Sequence, residues 1–302
     1  MNDLDLMKGF RDEATPPDPE VLADARAAMF RTETAKPRRR WMRSLLPVGA
    51  LAVAVAVAVV VTRPREAVQA PPDAEAVQVL RLAAAEARRE PVLSARPDQF
   101  VYVESQVAWA GSILTDGKTT YQPPVEKHRE IWLSVDGSQK GWVRERADRP
   151  GDEFNMDVPI DGGVTPAYLT DLPTDPAKMR EWLYNGPDNK NPEDRRAWTM
   201  IGDTLREQYL APAAVSAMFE AAATIPGTSV VKQIDLAGRR GIAVSRTDGG
   251  LRSDLIFDAT TYRFLGEREV AVNDVVPYPK GSVVGWTAQL KVAIVDGAGQ
   301  RP

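Results

Sequence analysis

The sequence predicts an α+β fold, in which a single transmembrane helix is followed by a domain with a curved antiparallel sheet and covering helices. Two patterns support the class of the domain. In the C-terminal third, apolar and polar residues alternate, and the short, turn-rich connections favour antiparallel pairing. In residues 175–224, apolar residues instead recur at helical spacings. Residues 75–302 are therefore predicted to form one α+β domain.

The apolar run at residues 45–61 predicts the transmembrane helix, which we place at residues 44–61. The run carries no charge, and at about 1.5 Å per residue its helix reaches across a bilayer core. Basic residues are more frequent before it than after it, which predicts a cell-membrane protein with a cytoplasmic N-terminus and an extracytoplasmic domain. A cleaved signal peptide is the alternative. The long polar segment before the run and Pro71 after the candidate cleavage site argue against it.

The cytoplasmic tail, residues 1–43, is predicted to contain short amphipathic helices. In the better defined one, Asp18 is a suitable N-cap and Pro19 suits the first helical position. A tail this short cannot bury the apolar stripe of this helix by itself. The helix therefore stays frayed, lies on the membrane surface or docks on a partner. The residues predicted to contact such a partner are Val21, Leu22, Ala25 and Met29.

Residues 62–74 are rich in proline and predict an extended linker, which offers a place for proteolytic release of the domain. Four helices are predicted after it. Pro91 ends the first, and Thr174 or Asp175 caps the second, whose first position is Pro176. The predicted helices are residues 74–90, the segment that contains Met179, Trp182 and Leu183, residues 192–209 and residues 212–224.

Eight segments with a period of two predict the strands of the sheet. Asp116-Gly117 and Asp136-Gly137 predict turns between the first of them. In the last segment, Trp286, Leu290 and Val292 are predicted to share one buried face. The segments are residues 100–103, 130–135, 140–143, 229–236, 241–246, 251–258, 262–272 and 283–295.

Composition and motifs exclude several classes of function. The chain has no cysteine, which removes disulfides, thiolate metal sites and cysteine nucleophiles. Its 38 basic and 42 acidic residues argue against a nucleic-acid-binding protein. The sequence contains no glycine-rich phosphate loop, nucleophile elbow or zinc-binding helix motif. We therefore predict no enzymatic activity, no catalytic residue, no cofactor and no bound metal.

Two isolated polar features are interpreted as surface. His128 is the only histidine, so a site with two histidine ligands is impossible, and its charged neighbours predict a solvated strand edge. The acidic segment at residues 152–161 lacks the glycine and the terminal glutamate of a calcium-binding loop. It is predicted to be a solvated loop.

The tryptophans of the predicted outer domain leave two interpretations open. Most of them are expected to be ordinary core residues. The alternative is that a few line an apolar groove under the sheet, and the candidates are Trp132, Trp142 and Trp286.

Three segments carry a resemblance to a known family. They are the basic and then apolar anchor at residues 36–61, the sequence Leu-Thr-Asp-Leu-Pro-Thr-Asp-Pro at residues 169–176, and Ile-Phe-Asp-Ala-Thr-Thr-Tyr-Arg-Phe-Leu-Gly-Glu at residues 256–267. Together they resemble a family of poorly characterised actinobacterial single-pass membrane proteins that are often encoded beside extracytoplasmic-function sigma factors. The resemblance implies an anti-sigma-like role, in which a cytoplasmic helix binds the sigma factor and the outer domain senses a signal. The tail lacks the His and Cys residues of zinc-type anti-sigma proteins.

These observations predict a non-enzymatic, single-pass membrane protein that takes part in envelope sensing or sigma-factor-linked regulation. The predicted partners are the membrane, in which it is integral, and an extracytoplasmic-function sigma factor. The alternative is a membrane-anchored binding or carrier domain for an apolar envelope ligand. A large apolar cavity would favour the alternative, and a filled core would weaken it.

Overall fold

The computed structural model describes residues 70–147, 154–160, 165–187 and 190–302. All of them belong to the second of two compact units of the chain, Pro64–Pro302. The predicted tail, with its contact residues Val21, Leu22, Ala25 and Met29, and the predicted transmembrane helix at residues 44–61 lie outside the described residues. Within the described part, no helix is both long and apolar enough to cross a bilayer.

The strands form one large antiparallel sheet and one small parallel pair. In chain order they are β1 (Phe100–Thr115), β2 (Lys118–Ser134), β3 (Gly141–Ala147), β4 (Asn155–Ile160), β5 (Tyr168–Leu169), β6 (Tyr209–Leu210), β7 (Thr228–Leu236), β8 (Arg239–Asp248), β9 (Leu251–Asp258), β10 (Phe264–Ala271) and β11 (Val283–Val295). The large sheet is curved and has the order β4-β3-β2-β1-β11-β10-β9-β8-β7. β5 and β6 pair separately and in parallel. The predicted curved antiparallel sheet is therefore confirmed.

Four helices occupy the predicted positions, namely α1 (Ala74–Ala87), α2 (Pro176–Tyr184), α3 (Glu193–Glu207) and α4 (Pro212–Ala222). The side chain of Asp175 accepts a hydrogen bond from the backbone N–H of Lys178 at 3.0 Å, as expected for an N-cap. Pro176 and Pro212 lie in the first turns of α2 and α4, where a missing N–H costs nothing. Local signals in the sequence therefore determine where these helices begin.

All four helices pack on one face of the sheet, which we call the helix-covered face. Their buried side chains meet Val244 of β8 and Leu255 and Phe257 of β9. The intervening residues Ala243 and Ile256 belong to a separate cluster on the opposite face, which we call the outer face. This alternation is what a strand with a period of two produces.

The segment after β11 covers part of the outer face. The indole N–H of Trp132 donates a hydrogen bond to the carbonyl of Gln300. The guanidinium of Arg301 donates two hydrogen bonds to the carboxylate of Glu130, at 2.5 and 2.6 Å, and the hydroxyl of Tyr102 donates a third at 3.0 Å. The side chain of Glu130 is only 2% exposed, so these partners replace the water that it loses.

This network predicts that the free energy of unfolding depends on pH in the acidic range. The hydrogen bond from Arg301 lowers the pKa of Glu130 below its ordinary value of 4.5, and Tyr102 and the charge of Arg144 act in the same direction against the effect of burial. The ionised carboxylate therefore stabilises the fold above that value, and this contribution is lost as the pH falls through the lowered pKa of the folded state. We expect Glu130→Gln to reduce the free energy of unfolding by about 2 kcal/mol at neutral pH.

The measurement is urea unfolding of both proteins at a series of pH values. Below pH 4.5 the wild type should lose stability more steeply than Glu130→Gln, so the two curves converge. Parallel curves over this range would show that Glu130 contributes no pH-dependent stability.

The predicted alternation of β11 is wrong at its centre. The pairing register between β1 and β11 shifts between Glu104 and Ser105, which leaves Leu290 as an extra, unpaired residue in β11. Because such a bulge reverses the alternation, Trp286 packs with the outer-face cluster, whereas Val292 packs on the helix-covered face. The sequence pattern alone cannot show a bulge, since both halves of the strand keep a period of two.

Two surface predictions also need correction. Part of the predicted acidic loop forms β4, because Asp157 is paired with Arg144 of the neighbouring strand at 3.1 Å, which offsets the cost of placing a carboxylate in a sheet. His128 does not lie at a strand edge, since β2 is flanked by both β1 and β3. Its Nε2 lies 3.3 Å from the carboxylate of Glu104.

Candidate functional site

A cavity of about 690 Å³ between the helices and the sheet is the candidate ligand site. Its volume lies within the range of about 300–1,000 Å³ that is typical of small-molecule sites. Residues of α1, of α4, of the turn between β9 and β10, and of β11 form its walls. The apolar side chains on these walls include Leu93, Leu205, Leu210, Val215, Phe219 and Phe264.

The two helical walls combine small and large side chains. Ala83 and Ala87 line the cavity from α1, where their small size leaves space that a longer side chain would fill. Val215 and Phe219 line it from α4. The ring of Phe219 makes an edge contact with Phe257 of the sheet, with 5.2 Å between the ring centroids, which holds α4 in place.

Two β-bulges lie in the strand wall. Leu265 is an extra residue between Phe264 and Gly266 of β10, and Leu290 is the extra residue of β11. Both leucines line the cavity. A bulge bends its strand, so these two irregularities shape the strand wall of the cavity, while the side chain of Leu265 itself packs in the outer-face cluster.

The chain between α1 and β1 forms one rim of the cavity. Glu90 is paired with Arg263 of the β9–β10 turn, with 2.8 Å between carboxylate oxygen and Nε. The backbone N–H of Leu93 donates to the hydroxyl of Tyr209 at 2.8 Å, and the hydroxyl of Tyr168 donates to the carbonyl of Leu93 at 2.6 Å. Burial raises the pKa of Tyr209 above its ordinary value, so this hydroxyl stays protonated. The rim is thus held at both ends.

Arg239, which lines the cavity, uses only part of its hydrogen-bonding capacity. Its Nη1 donates to the carbonyl of Gln289 at 3.0 Å and its Nη2 to the carbonyl of Leu265 at 3.3 Å. Its Nε is buried and has no hydrogen-bond partner among the described residues. Burial lowers the pKa of Arg239, and the nearby charge of Asp258 acts in the opposite direction.

The acidic residues that line the cavity already have partners. Glu86 is paired with Arg89 at 3.3 Å, and Glu90 with Arg263 as described above. The carboxylate of Asp258 accepts hydrogen bonds from the backbone N–H groups of residues 260 and 261, at 2.9 and 2.8 Å, which lower its pKa. Across the described residues, no group of three His, Asp or Glu side chains is arranged to hold a metal ion.

The structure places the predicted groove residues apart from this cavity. Trp132 and Trp142 are direct cross-strand partners in β2 and β3, and both belong to the cluster on the outer face. Trp286 lies in a different outer-face cluster and borders a smaller cavity of about 300 Å³ beside Trp109. None of the three candidates is among the residues that line the larger cavity.

Sequence reasoning did not identify the residues of the cavity, because they are scattered over helices, strands and loops. One signal pointed to them. Residues 256–267, which carry part of the family resemblance, include six lining residues, namely Asp258, Thr261, Tyr262, Arg263, Phe264 and Leu265. The turn between β9 and β10 therefore combines the most recognisable sequence of the domain with one wall of its cavity.

Comparison with known proteins assigns no family. No protein-family profile matches the chain, and no curated protein sequence is similar to it. Among solved structures, it is similar to MucB in complex with MucA(peri), with 13% identity, a TM-score of 0.26 and coverage of 76% of this chain and 58% of that chain. A DUF1329 family protein from Desulfovibrio piger has 9% identity, a TM-score of 0.21 and coverage of 74% and 93%. A LolA superfamily protein from Nitrosomonas europaea has 8% identity, a TM-score of 0.17 and coverage of 75% and 94%.

The chain thus spans less than two thirds of the length of the MucB structure that it matches. Similarity at this level assigns neither a family nor a function to this protein.

Proposed function

We propose that residues 75–302 form a non-enzymatic, extracytoplasmic binding domain, which holds an apolar molecule of the cell envelope and is attached to the membrane by the helix predicted at residues 44–61. The cavity of about 690 Å³ is the observation that carries this proposal. Its walls are lined by aliphatic and aromatic side chains, and burying an alkyl chain there would contribute about 25 cal/mol per Å² of apolar surface.

Photolabelling of the full chain in lipid nanodiscs tests this function. The probe is a twelve-carbon alcohol that carries a photoreactive diazirine, and mass spectrometry identifies the labelled peptides. We expect labelling of α4 and of the β9–β10 turn, since both line the cavity. Val215→Trp should reduce this labelling at least about tenfold, because its indole would occupy the cavity.

Ala213→Trp is the matched control, since Ala213 lies on the same helix but is exposed. It should leave the labelling of the cavity peptides unchanged. Equal labelling of wild type and Val215→Trp, or labelling spread evenly over exposed surfaces, would exclude the cavity as the binding site.

A second function, sigma-factor-linked envelope sensing, rests on the amphipathic stripe of the predicted cytoplasmic tail. In this proposal Val21, Leu22, Ala25 and Met29 contact an extracytoplasmic-function sigma factor, and ligand binding outside is signalled to the tail. An apolar stripe that the tail cannot bury by itself is the feature that supports it.

Cross-linked pull-down of the full-length protein from its native membrane, read by mass spectrometry, tests this second function. We expect the wild type to recover one sigma factor and Leu22→Glu to lose at least about 90% of it, because a buried charge without a partner costs several kcal/mol. Ala27→Glu adds the same charge on the opposite side of the predicted helix and should recover the sigma factor. Recovery by Leu22→Glu at the level of the wild type would rule out this contact.

A further inference from the structure

We propose that the ligand of the cavity is an amphiphile with an anionic headgroup, and that Arg239 binds this headgroup. The inference rests on the binding function proposed above and specifies the chemical class of its ligand. A single alkyl chain would lie in the cavity against its apolar walls. The headgroup, a carboxylate or a phosphate, would lie against the guanidinium.

The hydrogen-bonding geometry of Arg239 carries the inference. A guanidinium has five N–H donors in a planar fork, which matches two oxygens of a carboxylate or phosphate. Two neutral carbonyl oxygens, those of Gln289 and Leu265, accept from the Nη atoms, and the buried Nε has no partner among the described residues. The carboxylate of Asp258 acts on Arg239 through its charge and accepts its hydrogen bonds from backbone N–H groups instead. A buried donor without an acceptor is costly, and an anionic oxygen in the cavity would remove that cost.

The other charged groups on the cavity walls strengthen the assignment. The acids Glu86, Glu90 and Asp258 are engaged by Arg89, by Arg263 and by backbone N–H groups, respectively. Arg263 is already paired with Glu90. Lys291 also lines the cavity, but it is exposed and lies directly opposite Glu104 in the β1–β11 pair. Among the cations on these walls, Arg239 is therefore the one that donates hydrogen bonds to neutral carbonyls and has a buried Nε without a partner among the described residues.

Competition against the diazirine photolabel tests the inference in the full chain. The competitors share one chain length and differ in headgroup: dodecanoate, dodecyl phosphate and the neutral dodecanol, at a pH well above the pKa of the fatty acid. Each competitor partitions into the nanodisc to the same extent for every variant, so a difference between variants reports binding in the cavity. Arg239→Met retains an apolar stem but removes the charge. Arg240→Met is the matched control, since Arg240 is the neighbouring residue, is exposed and is not among the residues that line the cavity.

We expect at least one anionic competitor to become about tenfold weaker in Arg239→Met, with dodecanol unchanged in that variant. Arg240→Met should leave all three competitors unchanged. The anion that responds more strongly identifies the headgroup as carboxylate or phosphate. If all three compete equally well in wild type and in Arg239→Met, while the label still reaches the cavity, the headgroup assignment is wrong and the binding function stands. If the label does not reach the cavity of the wild type, the binding function fails and this inference fails with it.

Arg239→Lys provides a second variant should Arg239→Met not fold. It retains the charge and loses the planar fork, so the anionic competitors should weaken by less than in the charge-removing variant but measurably, about threefold. The inference would be overturned if the anions competed equally well in wild type and in Arg239→Lys and if dodecanol competed as well as the anions.

Discussion

Replacing Gly266 by alanine is expected to unfold the domain under conditions in which the wild type is stable. Gly266 has φ +151°, and a Cβ added to it would lie 2.0 Å from the carbonyl oxygen of Thr287, 2.8 Å from its carbon and 3.1 Å from the Cα of Ala288. All three are backbone atoms of β11, and β10 is enclosed by β9 on its other side, so neither strand can move away. We expect a loss of about 4 kcal/mol or more in the free energy of unfolding and a fall in Tm of about 10 °C.

Thermal and urea unfolding of Gly285→Ala provides the matched control for this prediction. Its added Cβ would lie 2.3 Å from a ring carbon of Trp109, a comparable overlap. The ring belongs to a side chain that is 45% exposed, so it can rotate away, and we expect a loss of less than about 2 kcal/mol. Equal losses in the two variants would show that the backbone at Gly266 adjusts and that the packing of β10 against β11 is not the constraint described here.

Trp132→Ala is expected to cost about 3–5 kcal/mol in the free energy of unfolding, without affecting ligand binding. Trp132 is fully buried, its ring centroid lies 5.3 Å from that of Tyr102 and 5.3 Å from the guanidinium carbon of Arg144, and its indole N–H binds the carbonyl of Gln300. Truncation therefore leaves a large cavity and releases the segment after β11. Because Trp132 lies on the outer face, photolabelling of the cavity peptides should persist at temperatures at which the variant is folded.

Two variants separate packing from a role in binding. Trp132→Phe keeps most of the ring volume and removes the indole N–H, so it should cost less, about 1–2 kcal/mol. Trp142→Ala removes a partly exposed ring at the neighbouring position and should also cost less than Trp132→Ala. A folded Trp132→Phe protein that no longer accepts the photolabel would instead support the groove predicted from the tryptophans.

Local signals explain which elements the sequence could predict. The helix that begins at Pro176 follows from the N-cap Asp175 and from a proline that suits the first turn. The β1–β2 hairpin follows from Asp116-Gly117, both of which adopt positive φ as a tight turn of this kind requires. In such cases a few neighbouring residues contain all the necessary information. Predictions for β4 and His128 failed because pairing with a distant strand decides whether a charged segment is a loop, an edge or an interior strand.

The candidate site depends on contacts between residues far apart in the chain. Arg239 meets the carbonyl oxygens of Leu265 and Gln289 only because strands of the sheet bring them together. The bulges at Leu265 and Leu290 have no local signature, since a strand on either side of a bulge keeps its alternation. Tryptophan content left open a groove beside the expected core packing, and at Trp132 and Trp142 the structure has a packed outer face.

The sequence by itself determined the α+β class, the positions of the helices, part of most strands and the absence of cysteine chemistry, because periodicity, capping and composition are local properties of a chain. The full lengths of β1 and β2 extend well beyond the predicted residues 100–103 and 130–135. Tertiary structure decided the strand order, the two bulges, the cavity and the partners of Glu130 and Arg239. These features arise when segments separated by many residues exclude water together, and the free energy of burying or pairing a side chain depends on those distant neighbours.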